Sequence, residues 1–212
     1  MNMKIIDLTH WIEPGMPVYP GTAAPVLEEA NTIARDGFAE KKLSLYSHVG
    51  THMDAPAHML PGGRTLDSYP VDLFWGRAVL ADFSPRRLEW IELEDLLPFA
   101  PLLQAAQFLI LRTGWGERWG TPAYFEGFPA LSAGAADWLV KSGVRGLGTD
   151  AISIDRIDDP AFPVHQRIFA AGLFAIENLA NLHLLPVEFS LGCFPLAIRD
   201  ADGAPARVVA WI

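Results

Sequence analysis

Residues 132–150, SAGAADWLVKSGVRGLGTD, decide the fold class, because the pattern changes there from helix to strand at a single glycine. Ser132 is a good helix N-cap, and apolar residues at positions 135, 136, 139 and 140 form one stripe of the helix that it starts. Gly143 ends this helix, and the short apolar run at residues 144–150 predicts a buried strand. A helix followed directly by a buried strand indicates an α/β fold.

Short apolar runs on both sides of this unit predict further strands. Residues 77–83 and 107–113 resemble buried strands, and residues 173–176 form a four-residue apolar run after a predicted short helix that ends at Gly172. The tail predicts two strands, at residues 193–199 and 206–212, joined by a turn that contains Asp-Gly. The remaining predicted elements are a strand at residues 4–8, a proline-rich loop at residues 14–21 and a brief helix at residues 92–97.

Length and charge restrict the class of protein. A chain of 212 residues, 50% hydrophobic and without repeats or linkers, predicts one domain over residues 1–212. Sixteen Lys and Arg against twenty-five Asp and Glu give a net charge of −9, which argues against nucleic acid as a partner. No run approaches the roughly 20 apolar residues of a membrane span, and no secretion leader is evident. We therefore expect a cytoplasmic protein that does not interact with membranes, and the lone Cys193 is compatible with that compartment.

The chemistry is concentrated in residues 47–58, SHVGTHMDAPAH. This segment holds three of the six histidines of the chain within eleven positions, together with one aspartate. Neutral imidazole and carboxylate are the ligands that Zn²⁺, Mn²⁺ and Fe²⁺ prefer. The segment therefore predicts a metal site whose candidate ligands are His48, His52, Asp54 and His58.

The spacing of these four residues predicts a curled, extended backbone. Their offsets are all even, so an extended chain directs them to one side, whereas a helix at ~100° per residue splits them into two groups. A straight strand also fails, because six residues at ~3.3 Å each separate His48 from Asp54 by about 20 Å. The chain must bend around the ion, and Gly50 and the Ala55-Pro56 pair are where a bend costs least.

Single histidines have a simpler explanation than metal binding. We interpret His10 and His183 as structural histidines. A histidine-rich surface loop that takes up metal incidentally is the corresponding alternative for the cluster, but it explains neither Asp54 nor the apolar residues between the ligands.

A second group of candidate site residues lies about a hundred positions further along. His165 begins the predicted short helix, and the apolar run that follows places Glu177 at its end. A carboxylate directly after a buried strand needs a cation or hydrogen-bond donors to offset its desolvation. Glu177 is therefore either a buried ion-pair partner or, together with His165, part of the metal site.

The pattern His48-x-Gly-x-His52-x-Asp54-x-Pro-x-His58 resembles the signature of the cyclase-type metal-dependent hydrolases, the family of bacterial kynurenine formamidases and isatin hydrolases. The resemblance implies a swivelling β/β/α-type α/β domain with a mixed sheet and flanking helices. It also implies homodimers or homotetramers in which neighbouring subunits wall the pocket. Further matches run along nearly the whole chain: Asp7-Leu8-Thr9, Pro17-Val18-Tyr19-Pro20-Gly21, Arg112-Thr113-Gly114-Trp115, Gly148-Thr149-Asp150-Ala151-Ile152-Ser153-Ile154-Asp155, Ile176-Glu177-Asn178-Leu179 and Asp202-Gly203-Ala204-Pro205-Ala206-Arg207.

The same resemblance implies roles for the candidate residues. His48, His52 and Asp54 correspond to ligands of a first metal, His165 and Glu177 to the remaining site positions, and His58 to an acid/base residue or second-metal ligand. Formamidase-like members hold two zinc ions, whereas isatin-hydrolase-like members hold one manganese. We expect one or two Zn²⁺ ions, with Mn²⁺ as the alternative.

The expected reaction is hydrolysis of a C–N amide bond by metal-activated water, with His58 and His165 as catalytic candidates. The expected substrate is a small N-formyl arylamine, as in an arylformamidase of tryptophan catabolism, or a cyclic amide. Formamidases often read Leu-Glu-Gly-Leu where this chain has Asn178, and family tails often have Ser where Ala204 stands, so the substrate stays open. A cyclase or lactone hydrolase with the same site and a non-catalytic metal-binding protein are the alternatives. Candidate pocket-wall aromatics are Tyr19, Trp75, Trp115, Trp119, Tyr124 and Phe125.

Overall fold

A computed structural model describes residues 3–86 and 88–212 of the chain. The strands are β1 (Ile5–Asp7), β2 (Val26–Asn31), β3 (Glu40–Ser44), β4 (His52–Asp54), β5 (Trp75–Asp82), β6 (Trp90–Ile91), β7 (Phe108–Arg112), β8 (Ala130–Leu131), β9 (Gly146–Thr149), β10 (Phe174–Glu177), β11 (Glu188–Pro195) and β12 (Gly203–Trp211). The α-helices are α1 (Ile33–Asp36), α2 (Leu93–Leu96), α3 (Ala100–Leu103), α4 (Ala133–Leu139) and α5 (Pro163–Ala170).

The main sheet has eight strands in the order β1-β12-β11-β5-β7-β9-β10-β4. The strands β5, β7, β9 and β10 pair in parallel, and the other pairs are antiparallel. Strand β12 also pairs with β4, so the order of strands closes on itself. The α/β fold with a mixed sheet and flanking helices is therefore confirmed.

The core lies on both faces of this sheet because the buried strands are apolar on both sides. In β7, Phe108 and Ile110 pack into a cluster with β4, β10, β11 and β12, whereas Leu109 and Leu111 pack against α2, α4 and α5. The helix predicted at residues 132–142 is α4, and the Ser132 hydroxyl accepts a hydrogen bond from the amide of residue 135, as an N-cap does.

The tail strands differ from the sequence prediction. The first begins at Glu188 rather than at residue 193, because Phe189, Leu191 and Cys193 alternate into the core and extend the strand towards its N-terminal end. The second begins at Gly203, which pairs with Asp54 of β4 instead of forming the turn. The connection between the two strands is therefore longer than the predicted Asp-Gly turn.

The sequence analysis did not predict the antiparallel hairpin of β2 and β3. We call residues 26–44 the arm; they comprise β2, α1 and β3, which form a separate two-stranded sheet. Every residue of β3 is exposed, and α1 has no buried residue. Within residues 3–86 and 88–212, no helix has both the length and the apolar character required to cross a bilayer.

Candidate metal centre

The segment that contains four of the candidate ligands bends where the sequence predicts. Gly50 has a φ of +61°, a left-handed conformation that suits glycine, and β4 follows directly. The chain then turns again through a 3₁₀ helix at Pro56–His58. In the sheet, His52 of β4 pairs with Glu177 of β10. The register of two neighbouring strands therefore brings the two distant groups of candidate ligands together.

Asp54 lies at the centre of the cluster and is almost fully buried. Its Oδ1 atom is 2.7 Å from His48 Nδ1 and 3.2 Å from His52 Nε2, and its Oδ2 atom is 3.8 Å from His165 Nε2. The Glu177 carboxylate lies alongside, 3.3 Å from His165 Nε2 and 3.5 Å from His52 Nε2. Two buried carboxylates and three imidazoles thus converge on one small volume.

The second ring nitrogen of His52 and of His165 identifies the tautomer of each. His52 Nδ1 is 2.8 Å from the Gly50 carbonyl oxygen, which can only accept a hydrogen bond, so Nδ1 carries the proton. His165 Nδ1 is 2.7 Å from Asp155 Oδ2 and donates to it in the same way. The Nε2 atoms of both rings therefore face carboxylate oxygens, an arrangement that requires a positive charge there, either a second proton on each ring or a metal ion.

The donor set fits a divalent metal in chemistry and in spacing. Nitrogen and oxygen ligands at about 2.0–2.1 Å from a tetrahedral ion lie about 3.3 Å from one another. The four separations that join the Nε2 atoms of His52 and His165 to oxygens of Asp54 and Glu177 are 3.2, 3.3, 3.5 and 3.8 Å. The described residues form three groups that could hold an ion: His48, His52 and Asp54; Asp54, His165 and Glu177; and His48, His58 and Asp202.

The pKa directions in this cluster reflect the same requirement for positive charge. Burial lowers the pKa of His48, but the neighbouring carboxylates of Asp54 and Asp202 outweigh it and raise that pKa to about 9. The pKa values of His52 and His165 are also raised, because nearby carboxylates outweigh the desolvation of each ring. The carboxylates hold protons on the imidazoles here, and a metal ion would supply the same positive charge.

His58 differs from the other predicted site residues. Its ring stacks on that of His48 with the centroids 3.8 Å apart, and its Nδ1 atom lies 3.6 Å from Asp202 Oδ2. Burial lowers the pKa of this histidine and outweighs the Asp54 charge, in contrast to its neighbours. Of the predicted site residues, His58 alone belongs to neither of the two buried groups around Asp54.

Two carboxylates of this site were not predicted. Asp202 Oδ2 lies 2.8 Å from His48 Nε2, and Asp155 accepts hydrogen bonds from the ring and the backbone amide of His165. A carboxylate behind a ligating histidine fixes the tautomer and orientation of the ring. Both residues lie in segments that match the family resemblance. The sequence spacing of a carboxylate on a turn, however, does not identify it as the partner of a particular histidine.

A cavity of about 480 Å³ opens beside the cluster. Five of the six predicted site residues line it: His48, His52, His58, His165 and Glu177. Of the predicted aromatic wall residues, only Tyr19 lines this cavity, while Trp115, Trp119 and Phe125 pack around the buried Tyr124. The other lining residues are Pro17, Val18, Thr22, Tyr46, Ser47, Gly50, Met59, Ile152, Ser153, Phe162, Gln166 and Asn178.

Comparison with known proteins agrees with this geometry. The family model named Cyclase matches residues 6–156, which is more than half of the chain. The chain belongs to the cyclase family. A kynurenine formamidase of Bacillus cereus is 31% identical to this family member over 205 residues, which cover 96% of this chain and 95% of that protein. Family membership predicted from the sequence is thus confirmed.

Solved structures of relatives share the fold over nearly their whole length. Isatin hydrolase A from Labrenzia aggregata, solved with benzyl benzoate, is 26% identical and superposes with a TM-score of 0.87 over 99% of this chain and 94% of that one. A protein from Bacillus stearothermophilus, described as a predicted metal-dependent hydrolase, is 28% identical, with a TM-score of 0.79 over 100% and 99% of the two chains. This cyclase-family chain is a metal-dependent hydrolase, as its sequence predicts.

His10 lies outside the cluster and stacks on Trp119 with the ring centroids 3.9 Å apart. Its buried Nε2 atom has no hydrogen-bond partner among the described residues, and burial lowers the pKa of the ring to about 4. The unfolded chain takes up a proton near pH 6.5 that the folded chain resists, so His10 makes the protein less stable as the pH falls from about 6.5 towards 4. This agrees with the structural interpretation of His10.

We predict that His10→Phe, which keeps the stacking but does not titrate, will lose less stability than the unsubstituted protein between pH 7.5 and pH 5. Urea unfolding at both pH values measures the difference. Equal losses in the two proteins would show that His10 titrates normally in the folded state.

Proposed function

We propose that this chain is an arylformamidase-like amidohydrolase that cleaves the C–N bond of a small N-formyl arylamine or cyclic amide. The observation that carries the proposal is the convergence of the free Nε2 atoms of His52 and His165 on the carboxylates of Asp54 and Glu177, beside a cavity. The activities of the kynurenine formamidase and isatin hydrolase relatives support the amide substrate.

The metal would be held by His48, His52 and Asp54. His165 and Glu177 would either complete the ligand set of this ion or hold a second ion. Zn²⁺ is the expected ion and Mn²⁺ the alternative, since both accept imidazole and carboxylate ligands. When bound, such an ion lowers the pKa of water towards 7 and polarises a carbonyl group.

His58 is the proposed acid/base residue. Its Nδ1 atom is nearest to Asp202, which leaves Nε2 to take the proton of the attacking water and to return it to the leaving nitrogen. Its lowered pKa keeps the ring neutral near pH 7 and therefore able to accept that proton. His165, whose Nδ1 proton is held by Asp155, is a fixed ligand in this arrangement rather than a second base.

The cavity suits a flat, mostly apolar substrate. Val18, Met59, Ile152 and Phe162 give it apolar walls, and the imidazoles and the Glu177 carboxylate of the cluster line it as well. Apolar walls with a few converging polar groups are usual for small-molecule sites. An aromatic ring would pack against these walls and present its amide carbonyl to the cluster.

The test is turnover by purified protein stripped of metal and reloaded with Zn²⁺ or Mn²⁺. We expect hydrolysis of N-formylkynurenine or isatin by the reloaded protein and none by the stripped protein. Simple lactones form the comparison arm: preferential hydrolysis of lactones would replace the amidohydrolase proposal by a lactone hydrolase. Tight metal uptake without turnover of any substrate would contradict an enzymatic function.

We also propose that the protein is a homodimer in which the arm of each chain packs on the other. A two-stranded hairpin is at best marginally stable alone, and this one exposes apolar side chains at Ile33, Phe38 and Leu43. Glu28 on β2 and Lys42 on β3 pair with each other within the hairpin, 3.4 Å apart, so the apolar side chains are the part of the arm that a second copy would cover. The chain continues from the arm into Tyr46 and Ser47 of the cavity wall, so a second copy on the arm would lie close to the site.

We expect the double variant Ile33→Asp/Phe38→Asp to be monomeric in light scattering coupled to size-exclusion chromatography. Val71→Asp is the matched control, because Val71 is equally exposed but lies outside the arm. A double variant with the same mass as the control would contradict dimerisation through the arm.

A further inference from the structure

Asn178 is the buried polar residue next to Glu177 that the proposed chemistry does not use. It has a φ of +58°, a left-handed conformation that asparagine tolerates better than most residues with a side chain. Its backbone groups are fully engaged: its amide donates to the Ala151 carbonyl, and its carbonyl accepts a 2.6 Å hydrogen bond from the Thr51 hydroxyl. These contacts fix the backbone and direct the side chain towards the metal centre.

The orientation of the Asn178 amide follows from its two neighbours. One end of the amide lies 2.8 Å from the Gly50 carbonyl oxygen, and because that oxygen only accepts, this end must be the Nδ2 donor. The Oδ1 atom then lies 2.7 Å from the Tyr124 hydroxyl, which must donate its single proton to it. The Asp150 carbonyl, 3.2 Å from the same hydroxyl, is left without that proton.

The Gly50 carbonyl is shared between Asn178 and a metal ligand. It accepts from Asn178 Nδ2 and from His52 Nδ1, each at 2.8 Å, which uses both of its lone pairs. The two donors are 3.4 Å apart because both point at this one oxygen. A buried chain of hydrogen bonds therefore runs from the Tyr124 hydroxyl through Asn178 and Gly50 to the ring of His52.

We propose that in this chain Asn178, which stands where formamidases often have Gly, is a positioning residue of the metal centre. With Tyr124 it holds the Gly50 carbonyl so that His52 keeps Nε2 free for the ion. The inference rests on the proposed metal-dependent function. Tyr124 and Asn178 are both buried, so no bulk water competes for these hydrogen bonds. Loss of the amide leaves the carbonyl free to shift and the His52 ring free to turn, which weakens metal binding.

The test is Zn²⁺ affinity, measured by competition with a chromophoric chelator. Asn178→Gly keeps the left-handed backbone and removes only the side chain, and we expect it to bind Zn²⁺ roughly 10–100-fold more weakly than the unsubstituted protein. Asn181→Gly is the matched control, since Asn181 also has a φ of +58° but lies exposed, where its amide donates to the Asp7 carbonyl. We expect the control to bind Zn²⁺ normally.

Tyr124→Phe tests whether the hydroxyl acts through Asn178. We expect a smaller loss of Zn²⁺ affinity than in Asn178→Gly, and no additional loss when the two substitutions are combined. Circular dichroism and the melting temperature of the metal-free variants separate weaker binding from loss of folding.

Each negative outcome has a separate meaning. If the unsubstituted protein takes up no Zn²⁺, the proposed function itself fails. If it binds Zn²⁺ and Asn178→Gly binds equally well, only the positioning role is overturned. Fully additive losses in the double variant would show that Tyr124 does not act through Asn178.

Discussion

Replacing Asp54 by Asn should abolish stoichiometric metal binding and lower turnover by at least about 10³-fold. The Asp54 carboxylate lies within 4 Å of ring nitrogens of His48, His52 and His165. Asp54 also belongs to two of the candidate metal groups, so its negative charge acts on the whole centre. The amide keeps the shape but has no charge to offset that of the ion. Each tenfold loss of turnover corresponds to about 1.4 kcal/mol of transition-state stabilisation. A 10³-fold loss therefore corresponds to the several kcal/mol that the metal ion would supply.

The measurements are metal content per chain after dialysis and kcat with the best substrate of the panel. Asp150→Asn is the matched control, because Asp150 is also buried but accepts its hydrogen bonds from Thr113 and the Gly114 amide, away from the cluster. We expect this control to be less stable and still to bind metal. Normal metal content in Asp54→Asn would contradict the central role of Asp54.

Local sequence pattern was sufficient to predict the part of the site that lies on β4. His52 and Asp54 alternate along an extended segment, so they face one side, and Gly50 permits the bend that brings His48 back to them. The side chain of Glu177 could be placed because a carboxylate at the end of a buried strand needs a cation or hydrogen-bond donors nearby. Each inference used only the geometry of a few consecutive residues and the cost of burying charge.

The partners that approach from elsewhere could not be found in this way. Asp202 meets His48 across 154 positions of sequence, and Asp155 meets His165 through the turn before α5. The proximity of Asp202 and His48 depends on the pairing of β12 with β4, which sequence periodicity does not specify. Gly203 shows the difficulty directly, because an Asp-Gly pair that is typical of a hairpin turn begins a paired strand instead.

The arm was missed for a different physical reason. Periodicity identifies a strand by one buried face, and neither face of β3 is buried within this chain. β3 itself, Glu40–Ser44, has three charged residues and one large apolar residue, so its sequence shows no apolar face. The exposure of Ile33 and Phe38 is therefore visible only in the three-dimensional structure, where the described part of the chain leaves both side chains uncovered.

Replacing His58 by Ala should lower kcat by roughly 10²–10⁴-fold while the bound metal per chain stays unchanged. His58 lies outside the two candidate groups that contain Asp54, although it shares a third group with His48 and Asp202. Its nearest carboxylate is the half-exposed Asp202 rather than Asp54 or Glu177. Proton transfer needs a ring that is neutral at working pH and can reach the cavity, and His58 meets both conditions.

The comparison that decides between base and ligand is His58→Ala against His48→Ala under the same conditions. His48 contacts Asp54 at 2.7 Å, so its loss should reduce metal content and kcat together, whereas His58→Ala should reduce kcat alone. His183→Ala serves as the control for removing a histidine outside the cluster, since His183 lies on the separate 3₁₀ helix at Leu182–Leu184. If His58→Ala loses metal in proportion to activity, His58 is a ligand, and proton transfer must be assigned to another group that lines the cavity.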